Sequence, residues 1–490
     1  MFVVMIASEC APVAKVGGLA DVVYGLSREL EIRGHAVEIV LPKYDCMRYD
    51  HIWGLQVSYA DLWVPWFNSR VHCTVWFGFV HGRKCFFIEP HGAEHFFDRS
   101  AYYGFPDEHV RFTFFSKAAL EFLYKAEKRP DVIHTHDWQT GLVPVLLYEI
   151  YRYHDMDHQR VCHTVHNFAY QGVAPFDVLW LSGLGRPEYY GAKDRLGDDF
   201  NPAAINFTKG AIVYSNFITT VSPRYAWEVR HTDQGCGLGH TLHVHQQNFG
   251  GVLNGLDYDM WNPERDPLIP VRYTADTLAE KAKNTAALRE RLRLRAKRKP
   301  IVAYIGRLDA QKGVHLIQHA LSYTLTRGGQ FVLLGASSER GINDSFLHLQ
   351  YHLRDNPDCH LEIRFDDELA HLIYAGADMI VVPSLFEPCG LTQMIAMRYG
   401  AVPIVRAVGG LADTVFDRDY SDRLPVERNG YVFHEADNPG IESALQRAIA
   451  LWFERPAEFR QLMIAGMRAD CSWNRAGQHY LNIYEYIRHK

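Results

Sequence analysis

The chain has 490 residues, of which 48% are hydrophobic and 22% are charged, and such proportions are typical of a folded globular protein rather than a disordered chain. A chain of this length is too long for one hydrophobic core, so we expect two large domains. The formal net charge of −6 gives no overall basic field, which argues against nucleic acid as a partner. No run approaches the roughly 18 apolar residues that a membrane span requires, so we expect no membrane partner.

The nine cysteines are scattered along the chain without a Cys-x-x-Cys pair. This pattern argues against a disulfide framework or a zinc ribbon and indicates a reducing compartment. One concentrated basic run, residues 289–299, carries seven Lys or Arg against the single acid Glu290. We interpret it as a solvated helix end and linker, with an anion or polysaccharide contact as the alternative.

Short apolar runs alternate with helical patterns from the first residues onward, which is typical of βαβ units. The pattern predicts a buried strand over Phe2–Ser8, rather than a secretory segment, and a helix over Leu19–Arg33 that Gly34 ends. Residues 57–89 break the rhythm with extended aromatic segments, which predict antiparallel strands added to the first domain. The tryptophans that we expect to pack in its core, rather than to form a sugar-stacking platform, are Trp63, Trp66 and Trp76.

The same patterns predict an α/β fold of two doubly wound, Rossmann-like domains. We expect a first domain over residues 1–252, a second over residues 253–465, and a segment 466–490 whose aromatic helix packs back on the first domain. Further first-domain strands are predicted at Ala36–Leu41, Val132–His136, Val161–His166 and Phe217–Val221. The second series comprises strands at Ile301–Ile305, Phe331–Leu334, Leu361–Phe365, Met379–Pro383 and Val402–Val405, a helix over Lys312–Arg327, and the last helix at about Trp473–Arg488.

Ligands of doubly wound sheets bind at the carboxyl ends of the strands, so the loops that follow strands are the candidate sites. The first such loop contains Lys15, the adjacent Gly17 and Gly18, and Asp21. Adjacent glycines let backbone amides at a helix start approach an anion closely. The loop fits neither the dinucleotide fingerprint nor the P-loop. It is therefore a candidate anion-binding loop, with an ordinary strand-to-helix turn as the alternative.

Two further strands of the first domain end in polar residues, His134 to Trp138 and Thr164 to Asn167. They would bring Asp137 and His166 to the same edge of the sheet. No third carboxylate or cysteine stands at metal spacing, so we expect no metal here. His134 is interpreted as a buried, hydrogen-bonded core histidine.

Two loops of the second domain carry the remaining candidates. Arg307 and Lys312 would neutralise a diphosphate leaving group, which is the main electrostatic demand of glycosyl transfer from a nucleotide sugar, and the alternative is a helix-start ion pair. Glu387 would accept hydrogen bonds from sugar hydroxyls, while the amides of residues 390–392 would receive phosphate oxygens. Cys389 has no assignable base, so we interpret it as a packed thiol or a contact rather than a nucleophile.

These motifs together resemble glycogen and starch synthases of bacteria and plastids. The resemblance covers essentially the whole chain, and the motifs that carry it, in the order of the family, are Lys15–Val22, His136–Trp138, His166–Asn167, Arg307–Gly313 and Phe386–Thr392. It implies the GT-B fold, in which two Rossmann-like domains face each other across a cleft. It also implies retaining transfer of glucose from ADP-glucose to the non-reducing end of an α-1,4-glucan or maltooligosaccharide, with release of ADP and without a metal or other cofactor.

The resemblance also implies roles for individual residues. Asp137 would lie near the reacting sugars, His166 and Asn254 would hold donor glucose hydroxyls with Glu387, and Phe365 stands where the family stacks adenine. The implied catalytic residues are Lys15, Asp137, His166 and Glu387. The implied donor-binding residues are Lys15, Gly17, Gly18, Asp21, Asn254, Arg307, Lys312, Phe365, Glu387, Cys389, Gly390, Leu391 and Thr392, and those on the acceptor side are Asp137, Trp138 and Asn167.

Departures from the common motifs refine these expectations. Val37–Asp45 resembles plant-type starch synthases of classes three and four, which favours a starch-making lineage in a cyanobacterium-like cytoplasm or a plastid stroma. The second glutamate of many related retaining transferases would fall at Ile395, so Glu387 would act alone. No carboxylate is assignable as the nucleophile of a double displacement, so we expect front-face transfer beside the departing diphosphate.

Other functions are weighed against this one. The first alternative is another cleft enzyme of this architecture, such as a sucrose- or trehalose-forming transferase or a pyridoxal-dependent glucan phosphorylase. The second is a catalytically silent glucan-binding scaffold, which the presence of both Lys15 and Glu387 disfavours. A nicotinamide oxidoreductase is disfavoured by the missing dinucleotide fingerprint. The sequence predicts no oligomeric state.

Overall fold

The computed structural model describes residues 1–490, which form two compact units. The first contains Met1–Gly255 together with Trp473–Lys490, and the second contains Leu256–Ser472. The expected boundaries at residues 252 and 466 differ from these. Gly255 stays with the first unit because its backbone lies directly against that of Trp473, where an added Cβ would be 2.5 Å from the Trp473 Cα atom. A helix over Pro456–Arg468 spans the second expected boundary.

The first unit is built on a nine-stranded sheet with helices packed against it. Its strands are β1 (Phe2–Ile6), β2 (Ala36–Pro42), β3 (Ile52–Trp66), β4 (Ser69–Val80), β5 (Arg83–His91), β6 (Val132–His136), β7 (Arg160–Val165), β8 (Val173–Pro175), β9 (Ala204–Asn206), β10 (Phe217–Thr220) and β11 (Phe249–Gly251). Its helices up to Gly255 are α1 (Gly18–Ile32), α2 (Glu108–Lys125), α3 (Leu142–Glu149), α4 (Asp177–Ser182), α5 (Pro187–Tyr190), α6 (Phe207–Tyr214), α7 (Pro223–His231) and α8 (Gly239–Val244).

The order of the large sheet is β11-β10-β7-β6-β1-β2-β5-β4-β3, and β8 pairs with β9 separately. The pairs on both sides of β1, with β2 and with β6, are parallel. Strands β3 and β4, and β4 and β5, are antiparallel, as the sequence predicts for residues 57–89, whereas β5 pairs in parallel with β2. Because the chain leaves β1 toward β2 on one side and later returns to β6 on the other, the loops after β1 and β6 flank a topological switch point.

The aromatic strands β3 and β4 correct one expectation about the tryptophans. Trp66 is buried as expected, and the indole of the half-buried Trp76 donates to Glu89 Oε2 at 2.7 Å. Trp63, however, is 50% exposed, with its ring 4.9 Å from that of His72. Its side chain alternates with Leu62 and Val64 along β3, and those two point into the core. The prediction that Trp63 packs in the core is therefore wrong.

The second unit is built on a six-stranded parallel sheet of order β14-β13-β12-β15-β16-β17. Its helices, in chain order, are α9 (Lys281–Arg291), α10 (Val314–Thr326), α11 (Arg340–Leu353), α12 (Asp367–Gly376), α13 (Thr392–Arg398), α14 (Gly409–Thr414), α15 (Asn438–Glu454) and α16 (Pro456–Arg468). Its strands are β12 (Ile301–Ile305), β13 (Gln330–Leu334), β14 (Cys359–Glu362), β15 (Met379–Val382), β16 (Val402–Arg406) and β17 (Tyr431–Phe433). The switch point of this sheet lies between β12 and β15.

Two elements of the second unit are shifted from their expected positions, and local capping explains both. Strand β14 ends at Glu362 rather than Phe365, because Asp366 already caps α12 by accepting a hydrogen bond from the Leu369 amide at 2.9 Å. Helix α10 begins at Val314 rather than Lys312. Asp309 first caps a short 3-10 turn, and Gly313 then adopts a left-handed backbone with φ of +70°.

The last helix, α17 (Trp473–Arg488), belongs to the first unit. The Arg33 guanidinium at the end of α1 donates to the Asn474 carbonyl at 2.6 Å and to the Gln478 side chain at 2.8 Å. The Trp473 indole occupies the space beside Gly25, where an added Cβ would lie 2.0 Å from its Nε1 atom. Glycine at position 25 is thus what lets α17 lie against α1. None of the helices combines the length and the apolar composition that a membrane span requires.

Candidate active site

Four of the loops that carry candidate residues predicted from sequence lie at the two switch points. In the first unit, Lys15 to Asp21 follow β1, and Asp137 follows β6. In the second unit, the loop carrying Arg307 and Lys312 follows β12, and the loop carrying Glu387 follows β15. The four loops are therefore at the positions where doubly wound sheets bind ligands.

The glycine loop after β1 already holds an anion supplied by the chain itself. The carboxylate of Glu9 is buried, and its Oε2 atom accepts hydrogen bonds from the amides of Val16 at 2.7 Å and Gly17 at 3.0 Å. Its other oxygen accepts from the Tyr103 hydroxyl at 2.7 Å. We expected loop amides to be available to an external anion, and for these two that expectation is wrong, because Glu9 occupies them.

Sequence reasoning missed Glu9, although one signal was present. Glu9 stands in the short segment between the buried strand β1 and the glycine loop, and an acid buried in such a segment must find hydrogen-bond donors. The remaining charged groups of the loop pair with each other. The Lys15 ammonium lies 2.7 Å from Asp21 Oδ1, and both side chains are accessible to solvent. Gly17 and Gly18 have no other atom within 4 Å of an added Cβ, so their surroundings are open.

Asp137 supports the loop after β7 as well as lying at the end of β6. Its Oδ1 atom accepts a hydrogen bond from the backbone amide of His166 at 2.6 Å. Its backbone has a φ of +55°, a left-handed conformation that is unusual for a residue other than glycine and is often found at functional sites. Burial raises the pKa of Asp137 to about 7, opposed by hydrogen bonds from the His166 and Asn167 amides. Asp137 therefore titrates near neutral pH.

The other candidate residues of the first unit differ in whether their side chains are available to a ligand or already make contacts within the protein. Asn254 is buried, and its side-chain oxygen has no hydrogen-bond partner, so a ligand hydroxyl would satisfy it. The His166 imidazole is half-buried, and burial lowers its pKa to about 3, so the ring is neutral. The Asn167 side chain instead accepts from the Ala169 amide at 3.0 Å. Trp138 packs edge-on against Phe112 with ring centroids 5.5 Å apart.

In the second unit, Glu387 is paired with a lysine from the neighbouring loop. The Lys312 ammonium lies 2.5 Å from Glu387 Oε2, and the Ser384 hydroxyl donates to the same oxygen at 2.9 Å. Glu387 is 7% exposed and Ser384 is fully buried. Ser384 is a second residue that sequence reasoning missed, since a serine in a loop gives no sign of which acid it will contact. The pair is a fixed carboxylate with a partner cation at the switch point.

The loops after β12 and β15 are also joined through their backbones. Leu385 donates to the Gln311 carbonyl at 2.8 Å, and the Gln311 side chain donates to the Phe386 carbonyl at 3.2 Å. At Gly313 the loops approach so closely that an added Cβ would lie 2.4 Å from the Pro383 carbonyl oxygen. Arg307 is free of this packing. Its side chain is 67% exposed and lies 3.3 Å from Asp309.

The segment after Glu387 is held by a glycine pair and a buried amide. Gly409 and Gly410 lie directly against this segment, and an added Cβ on Gly410 would lie 2.0 Å from the Cys389 carbonyl oxygen. The buried Gln393 donates to the carbonyls of Cys389 and Gly390 at 3.2 and 2.9 Å. Cys389 is buried, consistent with a packed residue. Gly390 has a φ of +74°, which only glycine adopts without strain, and leads through Leu391 to Thr392 at the start of α13.

Phe365 is 86% exposed in the loop after β14. An exposed ring beside the carboxyl ends of β13 and β14 is available to stack on a flat ligand group.

No group of three or more His, Cys, Asp or Glu side chains is arranged to hold a metal ion, and the metal-free reaction stays a prediction.

The chain is similar to known proteins over its full length. Residues 2–244 match a family model described as the starch synthase catalytic domain, and residues 288–468 match one described as glycosyl transferases group 1. Glycogen synthase 1 of Trichormus variabilis is 63% identical, and the alignment covers 100% of both chains. Glycogen synthase 2 of Methylococcus capsulatus is 64% identical over 98% of this chain and 99% of that protein.

A solved structure, the catalytic domain of starch synthase IV from Arabidopsis thaliana bound to ADP and acarbose, superimposes with a TM-score of 0.96. The two sequences are 43% identical, and the match covers 100% of this chain and 99% of that one. The fold and the loops at its switch points define a glycosyltransferase of the GT-B class, and the protein is a hexosyltransferase. With relatives above 60% identity over its whole length, the chain belongs to the glycogen and starch synthase family.

Proposed function

We propose that this protein transfers glucose from ADP-glucose to the non-reducing end of an α-1,4-glucan, with retention of configuration and release of ADP. The observation that carries the proposal is the Lys312–Glu387 pair, in which a buried carboxylate and a cation lie together at the switch point of the second sheet. A nucleotide sugar offers each of them a partner, because its diphosphate attracts the ammonium and its hydroxyls donate to the carboxylate.

On this proposal, Lys312 exchanges Glu387 for the donor diphosphate when ADP-glucose binds. Arg307, which is exposed and only loosely paired, adds a second cation. Glu387 is then held by Ser384 alone and accepts from glucose hydroxyls. The two cations stabilise the negative charge that develops on ADP as it departs. Phe365 stacks on adenine, for which its exposed ring is suited.

Groups of the first unit act on the sugars. Asn254 has an unpaired side-chain oxygen that a glucose hydroxyl satisfies, and His166 contributes its imidazole. Asp137 serves chiefly by holding the His166 amide in place. The acceptor hydroxyl attacks on the face from which ADP leaves, and a phosphate oxygen of ADP takes its proton. This route needs no protein nucleophile, in keeping with the apolar Ile395 on α13.

Partners and setting follow from the relatives. The starch synthase IV structure was solved with ADP and acarbose bound, which supports a nucleotide and a glucan as the ligands of this chain. The relatives of this chain from Trichormus variabilis and Methylococcus capsulatus are named glycogen synthases. They favour glycogen as the product and the cytoplasm of a bacterium as the compartment, in place of the starch-making lineage.

One assay tests donor, acceptor and cofactor together. Purified protein is incubated with ADP-glucose or UDP-glucose, with and without maltooligosaccharide, in the presence or absence of EDTA. We expect chain extension from ADP-glucose with maltooligosaccharide, an α-linked product by NMR, and the same rate with the chelator. A β-linked product would refute retention. Loss of activity in EDTA that one divalent ion restores would refute the metal-free reaction.

A further inference from the structure

The imidazole of His166 is linked to a second histidine that the proposed reaction does not use. The Nδ1 atom of His136 lies 3.2 Å from the Nε2 atom of His166, within hydrogen-bond distance. His136 is fully buried, and its other ring nitrogen, Nε2, has no hydrogen-bond partner. Burial lowers the pKa of both rings, that of His166 to about 3. Both rings are therefore neutral, and each carries a single N–H group.

Two arrangements of the two protons are chemically possible. If His166 donated from Nε2, His136 would carry its own proton on Nε2, where it has no acceptor. If His136 donates from Nδ1, only a lone pair at its Nε2 atom is left without a partner. Buried N–H groups without an acceptor are rarer in folded proteins than acceptors with an unused lone pair. The second arrangement is thus the stable one.

We propose that His136 is a positioning residue that holds His166 in its Nδ1–H tautomer, so that His166 presents a hydrogen-bond donor to its ligand. The Nδ1 atom of His166 forms no hydrogen bond in the structure and is not among the buried unpaired atoms, so it is free for a ligand. Its partner is then an oxygen lone pair of the sugar rather than a hydroxyl proton. Only the identity of that ligand rests on the proposed function.

The C-terminal helix supports this arrangement from behind. The Tyr484 hydroxyl on α17 lies 2.7 Å from Nδ1 of His134 and has no other hydrogen-bond partner, so its buried O–H group donates to that nitrogen. His134 then carries its proton on Nε2, which lies 2.7 Å from the Thr164 hydroxyl. The His134 ring packs against that of His136, with centroids 4.2 Å apart. The His134 ring, which packs against His136, is therefore held in place by its own hydrogen bonds.

A direct test reads the tautomer without any substrate. In protein labelled with ¹⁵N-histidine, long-range ¹H–¹⁵N correlation spectra distinguish Nδ1–H from Nε2–H imidazoles, and the His166 signals are identified by their loss in His166→Asn. We expect an Nδ1–H pattern for His166 in the wild type. An Nε2–H pattern would overturn the inference whatever the substrate is. An Nδ1–H pattern in a protein that does not transfer glucose would support the tautomer and refute the proposed function instead.

Variants of His136 add a functional test. His136→Asn retains an N–H donor near the Nδ1 position, whereas His136→Leu removes it. We expect His136→Leu to lower kcat about tenfold, which corresponds to one hydrogen bond, and to lose the Nδ1–H pattern. His136→Asn should restore both. ADP affinity should be unchanged in each.

The matched control is His163→Asn, because His163 is equally buried on β7 but bonds to the Thr135 hydroxyl at 2.8 Å instead of to His166. It should leave kcat within about threefold of the wild type and the His166 tautomer unchanged. Equal losses of kcat in His136→Asn and His136→Leu would overturn the positioning role. If His136→Leu does not fold, the wild-type spectrum and His136→Asn still decide the question.

Discussion

The two units each place a lysine and a carboxylate at their switch point, but the two pairs differ in their surroundings. Lys15 and Asp21 are 2.7 Å apart, with side chains 42% and 26% exposed. Lys312 and Glu387 are 2.5 Å apart, with side chains 20% and 9% exposed. Exposed pairs contribute little because water and salt screen them, whereas a buried carboxylate depends strongly on its partners.

The difference extends to the backbone around each pair. The glycines beside Lys15 have open space around them, while Gly313, next to Lys312, lies against the Pro383 carbonyl. The first loop is held by the Glu9 carboxylate, whereas the second is also packed closely against its neighbouring loop. We infer that the first loop adapts to its ligand and that the second is preorganised, and the following predictions test this contrast.

The largest effect is expected at Glu387, the carboxylate of the buried pair. Glu387→Gln keeps the size of the side chain but removes its charge. Hydrogen bonds to charged groups are worth about 1.5–3 kcal/mol, so kcat/KM for ADP-glucose should fall about 10- to 100-fold or more. Steady-state kinetics with ADP-glucose and calorimetry with ADP measure the two consequences, and ADP affinity should hardly change.

A control for this variant is Glu442→Gln, which removes a carboxylate from the partly exposed His319–Glu442 pair of the same unit. It should leave kinetics and ADP affinity as in the wild type. Undiminished turnover of Glu387→Gln would exclude its role in holding the sugar. Equal losses of turnover and ADP affinity would instead make Glu387 a structural support of the phosphate loop.

The second-largest effect is a difference in stability between a glycine variant of each loop. Gly313→Ala forces a side chain into a left-handed backbone and toward a carbonyl 2.4 Å away, which should cost about 2 kcal/mol of the free energy of unfolding. Gly17→Ala meets no atom and has an extended backbone with φ of −142°, so stability should change by less than about 0.5 kcal/mol.

Thermal unfolding checks this pair, and Gly313→Ala should lower Tm by about 4–8 °C. Gly17→Ala should affect catalysis rather than stability. Its kcat/KM should fall, because the added methyl group occupies the open side of the loop, while its Tm stays that of the wild type. A large loss of Tm in Gly17→Ala would show that the first loop is as tightly packed as the second.

Sequence reasoning found the groups that carry chemistry better than the groups that hold them. The loops with Lys15 and Glu387 were predicted because a strand, a glycine or proline turn and a helix start are local patterns. Ser384 was missed as a support because a contact made by folding leaves no spacing in the chain, and the position of Glu9 indicated that it needs donors but not which amides supply them. Trp63 was assigned to the core because its local pattern does not reveal which face of an edge strand is covered.

The fold was predicted more fully than its details. The parallel strands, the α/β class and the C-terminal helix follow from periodicity, and the structure contains them. The end of β14 was placed at Phe365 because the run from Leu361 alternates like a strand. Asp366 cut the strand short by capping α12, and a cap competes with strand pairing in a way that hydrophobicity does not record.

A smaller effect is expected at Glu9, which fixes the exposed loop. Glu9→Gln retains an acceptor for the Val16 and Gly17 amides but loses the charge that strengthens both bonds. We expect kcat/KM for ADP-glucose to fall about fivefold to tenfold, with little change in Tm. Steady-state kinetics and calorimetry of wild type and variant measure this. Tighter ADP-glucose binding by the variant would contradict the support role, because it would mean that the Glu9 carboxylate competes with the donor phosphates.

The smallest effect is a pH dependence that arises at Asp137. Its pKa is raised to about 7 from an ordinary value near 3.8, so the folded state holds the proton more tightly than the unfolded chain does. This contribution to stability is complete below pH 3.8 and is lost as the pH rises through about 7. The ionised carboxylate is also the stronger acceptor for the His166 amide, so kcat should rise a few-fold between about pH 6 and pH 8.

Asp137→Asn keeps an acceptor but cannot titrate, so its kcat should lack this step, and its Tm should exceed that of the wild type above pH 7. Profiles of kcat and Tm against pH for both proteins provide the measurement, and an unchanged step in Asp137→Asn would assign the titration to another group.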